Sequence, residues 1–509
     1  MKKKRLTKLL SVVLAVLVLF PFSFAFAANN EIKIEKNVPQ VNVLGLFGTT
    51  VYESTENVKS NVRWPISDGR FLDLVKGEKN TLIEALLTLN GDSLSDNLIP
   101  KLKTLFEPYA LDSSGELQNK TGISFEWPSK EEIKKDSCLD FYYDWRLDPF
   151  ATADELERFI DYVLEATGCE KVALSAHSCG GVITNAYLSK YGCKKLQSIF
   201  LVSSAGQGAT FLGELMSGNF TLKGDSIASF LKYLFADSDY ENLKAVAFSI
   251  LNKTGIADGF LNLSDSAFSK AYDSLLNEFL IPLFGTWPTI WAMVPDEYIA
   301  SAKDYVFGRI FNNDGNDYSK LIEKIEKYST DVRQKRDEIF IDANNKCNLG
   351  IFSCYGYSAI PVSSSWYAMT DGVVDTKYTS FGATTATYGK TLKDEYLAFR
   401  DPSQISPDKT VDASTCLFPK QTWFVKNYRH KQFHDDLYAL MDTVLYSKEQ
   451  VTVETYSKYP QFLRFDNISG IIPDSRQTTP TEERRESILD AIAEFFELVA
   501  KWFRKLFKI

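Results

Sequence analysis

Residues 171–181, KVALSAHSCGG, run from an apolar stretch into a serine held between small residues. Lys171 to Ala176 has the length and apolarity of a buried strand, and Gly181 to Lys190 reads as a helix stopped near Gly192. Ser178 therefore falls on a sharp strand-to-helix turn. Ala176 and Gly180, two positions before and after it, are small enough to let the chain turn there. This is a variant of the G-x-S-x-G elbow, a turn that lifts a serine hydroxyl above the edge of a sheet. Ala176 departs from it by one methyl group.

The flanks extend the pattern. Ala153 to Thr167 places Leu156, Phe159, Ile160, Val163 and Leu164 at helical spacing, with Gly168 as a C-terminal stop. Leu196 to Ser203 reads as another buried strand, Leu139 to Tyr143 as an earlier one, and Val41 to Gly45 as the first. Helix, strand, helix, strand with short links predicts a mostly parallel α/β sheet with helices on both faces. Residues 207–345 break the rhythm, being rich in aromatics and helix formers, and predict a largely helical cap inserted into the sheet domain. Strand character returns at Ser363 to Met369, and a helix begins near His434. The expected organisation is a core over 28–206 with a lid-like insertion at about 53–137, the cap at 207–345, and a second part of the core at 346–472.

Both ends differ from this core. Lys2, Lys3, Lys4, Arg5 and Lys8 precede an apolar run to about Phe24, and Ala25-Phe26-Ala27 offers a small-residue cleavage site. Residues 1–27 thus read as a signal peptide, and the protein is expected to be secreted. Loss of those five bases takes the formal charge from -9 to -14, which argues against a nucleic-acid partner. Residues 473–481 read as a polar linker. Residues 482–509 follow as an amphipathic helix, with Ile488, Ile492, Phe495, Val499, Trp502 and Leu506 on one face. It suits either a membrane surface or docking on protein.

An odd count of seven cysteines leaves at least one thiol unpaired within the chain. Their spacings form no zinc pattern, and neither a metal nor a cofactor is expected. Cys169 and Cys193 each open a strand, so a disulfide between them is one expectation; a small loop closed by Cys347 and Cys354 is another.

A serine nucleophile needs a base, and the chain has three histidines, His177, His430 and His434. His177 is committed to the elbow. His434 opens an apolar helix and is preferred over His430, which lies between Arg429 and Lys431, where an imidazolium would be disfavoured. The carboxylate that holds the base should lie between serine and histidine in sequence. Asp371, just past the strand ending at Met369, is preferred, with Asp375 as runner-up. A tetrahedral oxyanion needs preorganised donors. The backbone N–H of Cys179 is one, and the Leu44-Gly45-Leu46-Phe47-Gly48 turn supplies the other from Leu46. Cys179 itself, as a rival nucleophile, would face into the helix start.

Four stretches resemble the lecithin:cholesterol acyltransferase family, which includes phospholipid:diacylglycerol acyltransferases and lysosomal phospholipase A2. They are Val43 to Thr50 with Trp64-Pro65, Tyr143-Asp144-Trp145-Arg146-Leu147-Asp148-Pro149, Ser175 to Gly181, and Asp371-Gly372-Val373-Val374. His434 begins the last helix as that family's base does. The likeness spans roughly 41–445 in patches and leaves 207–345 unmatched. Leu44 stands where the family has proline, and Thr370 and Val373 depart from its acid loop. The resemblance implies an α/β-hydrolase fold with a cap and lid over a lipid cleft. It implies a triad of Ser178, Asp371 and His434, oxyanion donors at Leu46 and Cys179, and substrate contacts at Trp145, Phe47 and His177. The expected activity is that of a lipid esterase or O-acyltransferase. A carboxylesterase on soluble or glycan-borne esters, and a non-catalytic membrane-binding protein on the same fold, are the alternatives.

Overall fold

The computed structural model describes residues 36–52, 62–64, 94–118, 121–219, 273–312, 314–360, 363–467 and 469–474. The expected signal peptide, about half of the 53–137 insertion, much of the expected cap, most of the 473–481 linker and the expected C-terminal helix lie outside them.

Eight strands form the central sheet: β1 (Gln40–Val43), β2 (Cys138–Phe141), β3 (Val172–His177), β4 (Leu196–Val202), β5 (Asn348–Tyr355), β6 (Thr422–Lys426), β7 (Phe462–Asp466) and β8 (Gly470–Pro473). Their order is β8-β7-β6-β5-β4-β3-β1-β2, parallel throughout except for β8, which runs antiparallel to β7 at the edge. The chain builds β2 on one side of β1 and then crosses to build β3 on the other. This reversal opens a crevice beyond the C-terminal ends of β1 and β3, where open α/β sheets bind ligands.

The strands alternate between two cores, as a period of two requires. Ile199 and Leu201 of β4 face one apolar cluster, while Phe200 and Val202 face the other. Helices α1 (Pro149–Thr167) and α2 (Gly180–Tyr191) cover the first face. Asp148 caps α1 by accepting from the Phe150 amide. Gly168 ends α1 in the left-handed region at φ 66°, donating to the Leu164 carbonyl. Leu156, Phe159, Ile160 and Val163 are fully buried, each worth roughly 1.5–3 kcal/mol of apolar burial. Further along the chain lie α3 (Thr210–Met216) and α4 (Arg336–Asn344), and α5 (Asp435–Tyr446) covers the second face through Leu437, Leu440 and Val444. Between 273 and 345 the described chain is helical, including Pro288–Ala292, Ile299–Tyr305 and Ser319–Asp331. The doubly covered, mostly parallel sheet expected from residues 139–203 is the observed architecture.

All seven cysteines are free thiols. Cys347 and Cys354 bracket β5, so about 3.3 Å of rise per residue sets them roughly 23 Å apart and prevents the small loop. Cys169 and Cys193 do open neighbouring strands, but the Cys193 side chain meets Cys347 instead.

Candidate active site

β3 ends at His177 and α2 begins at Gly180, leaving Ser178 and Cys179 to make the turn. Ser178 has φ 54°, a value that non-glycine residues rarely adopt and one that stores backbone strain. Close approach allows no side chain beside it. A Cβ on Gly180 would lie 2.3 Å from the Val43 carbonyl oxygen of β1. The strain is held by pairing: Ser178 N–H donates to the Val202 carbonyl and its own carbonyl accepts from Gly181 and Ala205.

Ser178, 8% exposed, donates its hydroxyl to His430 Nε2 at 2.8 Å. On the other side of the ring, His430 Nδ1 lies 2.8 Å from Asp371 Oδ2. A proton on Nδ1 facing the carboxylate leaves Nε2 as the acceptor for the serine, the tautomer that general-base action needs. Asp371 is fully buried, and its Oδ1 accepts from the Val373 and Val374 amides at 2.9 and 2.7 Å. The Asp-Gly turn thus aims one carboxylate oxygen at the histidine and anchors the other. The two loops are also tied through their backbones, His430 N–H donating to the Asp371 carbonyl.

The expected base, His434, lies elsewhere. It is the N-cap of α5, its Nδ1 accepting from the Asp436 amide at 3.2 Å, and its ring packs against Phe465. A ring nitrogen at a helix start satisfies one of the unpaired N–H groups there, so opening an apolar helix marks a cap. His430 instead occupies the loop after β6. Its neighbours Arg429 and Lys431 do not keep its ring from direct contact with the Asp371 carboxylate. Asp375, the alternative acid, is buried away from the histidine. It accepts from the Thr210 amide and hydroxyl at 2.9 and 2.7 Å and pins the start of α3.

The turn after β1 lies alongside the serine. Val43 pairs with Ala176, which brings the following residues level with Ser178. Gly45 is the point of contact, where a Cβ would sit 3.0 Å from His177 Nδ1 and 3.1 Å from Ser178 Cβ. Gly48 N–H closes the turn on the Gly45 carbonyl, with Phe47 at φ 66°. Leu46, the expected oxyanion donor, sits in this turn one residue past the contact.

The Tyr143–Arg146 stretch braces that turn. Tyr143 donates its hydroxyl to the Leu44 carbonyl at 2.6 Å, and Trp145 donates its indole N–H to the Thr49 carbonyl at 3.2 Å. Phe47 packs edge-on against Trp145 with ring centroids 4.7 Å apart. Behind them Arg146, fully buried, forms a two-pronged pair with Asp144 at 2.9 and 2.6 Å and reaches the Thr121 carbonyl. Trp145 is thus buried under the turn rather than open to substrate, while Phe47 stays half-buried at its edge.

His177, a further expected substrate contact, is engaged internally. Its Nε2 lies 2.7 Å from the His430 carbonyl oxygen. Burial, together with the neighbouring His430, pushes its pKa down to about 3, so the ring is neutral and Nε2 carries the donated proton. The Cys179 thiol is fully buried and pushed up to about 12 by burial, which makes it inert as a rival nucleophile.

The family model described as "alpha/beta hydrolase fold" matches residues 90–249. Among solved structures the chain is similar to one of the Tle4–Tli4 complex, at 12% identity and a TM-score of 0.26 over 62% of this chain and 75% of that one. It is also similar to a structure from work on carboxylesterases of the ammonia-oxidizing thaumarchaeon Nitrososphaera gargenis, at 12% identity and a TM-score of 0.16 over 60% of this chain and 92% of that one. Likenesses this loose bear no argument about activity. No curated protein matches the chain. The mostly parallel eight-stranded sheet, its covering helices and the matched domain give this chain an α/β-hydrolase fold.

Proposed function

We propose that the chain is a serine esterase or O-acyltransferase that works through an acyl-enzyme on Ser178, with a lipid ester as acyl donor. The observation that carries the reading is the continuous hydrogen-bonded line Ser178–His430–Asp371, both links 2.8 Å long, at the switch point of the sheet. In this reading the Ser178 oxygen attacks the ester carbonyl while His430 Nε2 takes its proton. Asp371 orients the ring and stabilises the imidazolium. In this reading the tetrahedral oxygen is received by the backbone N–H groups of Leu46 and Cys179, a role supported by the close approach of Gly45 to Ser178. His430 then returns the proton to the leaving alcohol, and water or a second alcohol, deprotonated by the same nitrogen, releases the acyl group.

The lipid donor is supported by the four stretches that resemble the lecithin:cholesterol acyltransferase family, now centred on a base at His430. Secretion and contact of residues 482–509 with a membrane surface belong to the same proposal and rest on the sequence patterns of the two ends.

The test is product analysis by mass spectrometry. Protein and its Ser178→Ala variant are incubated with mixed phospholipid liposomes, with and without a long-chain alcohol. Free fatty acid or a new ester from the unsubstituted protein alone supports the reading, and their ratio separates hydrolysis from transfer. Turnover of short soluble esters with none on liposomes would replace the lipid donor by a soluble one.

A further inference from the structure

The seven thiols are not scattered evenly. Cys193 lies just before β4 and Cys347 just before β5, and those strands are parallel neighbours, with Ser198 facing Asn348. The two thiols lie close enough to shift one another's ionisation, Cys193 downwards and Cys347 upwards. Cys347 donates to the Ala343 carbonyl at the end of α4, and both Ala343 and Cys193 line a surface cavity of about 230 Å³. That cavity is walled by Leu188 and Gly192 on one side and Glu338, Ile339 and Asp342 on the other. The pair therefore sits where α2 and α4 meet the N-terminal edge of the sheet, at the opposite end from Ser178.

We propose that Cys193 and Cys347 are a disulfide site, joining the starts of β4 and β5 and so tying the cap segment between them across its base. The strand register brings two loops together that are far apart in sequence, which is the geometry a bridge needs. Closure takes an external disulfide as oxidant. The Cys193 thiolate attacks one sulfur of that disulfide and expels the first thiolate. The Cys347 thiolate then attacks the Cys193 sulfur of the mixed disulfide and expels the second. Two thiols of the protein lose two protons and two electrons, and the oxidant gains them as two thiols. Cys193 is suited to the first attack because it lines the cavity and because the neighbouring Cys347 thiol favours its thiolate. Cys179, Cys354 and Cys416 are buried and face Tyr143, Ser203 and Thr422 respectively.

The full chain is unfolded in urea, refolded in glutathione buffers of graded redox poise, and mapped by non-reducing peptide mass spectrometry. A parallel sample is oxidised without unfolding. Expected is a Cys193–Cys347 linked peptide under oxidising poise, retained in Cys169→Ser and lost in Cys193→Ser and Cys347→Ser. The oxidised form should melt several degrees above the reduced form, a difference that dithiothreitol abolishes and that neither Ser variant shows. Free thiols at both positions under oxidising poise in both samples would overturn the proposal, as would Cys193 linked to Cys169.

Discussion

His177 and His430 meet through one hydrogen bond, from the His177 ring to the His430 backbone carbonyl at 2.7 Å. The residue before Ser178 thus holds the backbone of His430, and with it the ring that faces Ser178. Replacing His177 by Gln keeps an N–H donor of similar reach; replacing it by Ala leaves the carbonyl unpaired. We expect His177→Ala to lower kcat roughly tenfold to a hundredfold with little change in KM, and His177→Gln to recover most of it. Steady-state kinetics on a soluble ester reads both.

The same contact makes a stability prediction with a definite sign. The folded pKa of His177 is about 3, below its ordinary value of 6.5. Between those values the unfolded chain binds a proton that the folded chain refuses, so stability is full above pH 6.5 and falls as pH drops towards 3. At pH 5 the loss is on the order of 1 kcal/mol, discounted for the part of the ring that reaches solvent. Urea denaturation from pH 7 to pH 5 should show a steeper loss for the unsubstituted protein than for His177→Gln. Equal slopes would mean that the ring charges freely in the fold.

Asp371 and Asp375 divide their work. Asp371→Asn should lower kcat by roughly 10⁴, because the amide turns the imidazole into the wrong tautomer. Asp375→Asn should leave most of kcat and cost about 1–3 kcal/mol in unfolding free energy, since it weakens a buried anchor on Thr210. Kinetics and denaturation of both variants check the division.

Tyr143→Phe removes the hydroxyl that holds the Leu44 carbonyl. The ring stays buried, so the fold should lose only about 1 kcal/mol, while looser placement of the Leu46 amide lowers kcat by roughly tenfold. An unchanged kcat would separate the Tyr143–Arg146 stretch from the oxyanion turn.

Much of this was open to reading because local constraint is strongest there. The elbow at Ser178 is written in the small residues around it, and Asp371 in a strand followed by a tight Asp-Gly turn. His430 was hidden by the strand before it. Trp423, Phe424 and Val425 are three successive buried residues in β6, a short apolar run with no alternation to mark it. Read as a strand, that run points to the loop beyond its C-terminal end and so to His430. His434 drew attention instead because a helix cap and a catalytic base ask for the same kind of acceptor. Trp145 and the Cys193–Cys347 contact depend on pairings across the sheet, which no single stretch encodes.

The most direct test is labelling by a fluorophosphonate probe, read by intact mass and by peptide mapping, across the unsubstituted protein, Ser178→Ala, His430→Ala and His434→Ala. The account expects one adduct, on Ser178, in the unsubstituted protein and in His434→Ala. Ser178→Ala should take none, and His430→Ala should label slower by at least a thousandfold, on the order of the loss when a triad member is removed. Labelling that survives in His430→Ala and disappears in a folded His434→Ala would contradict it.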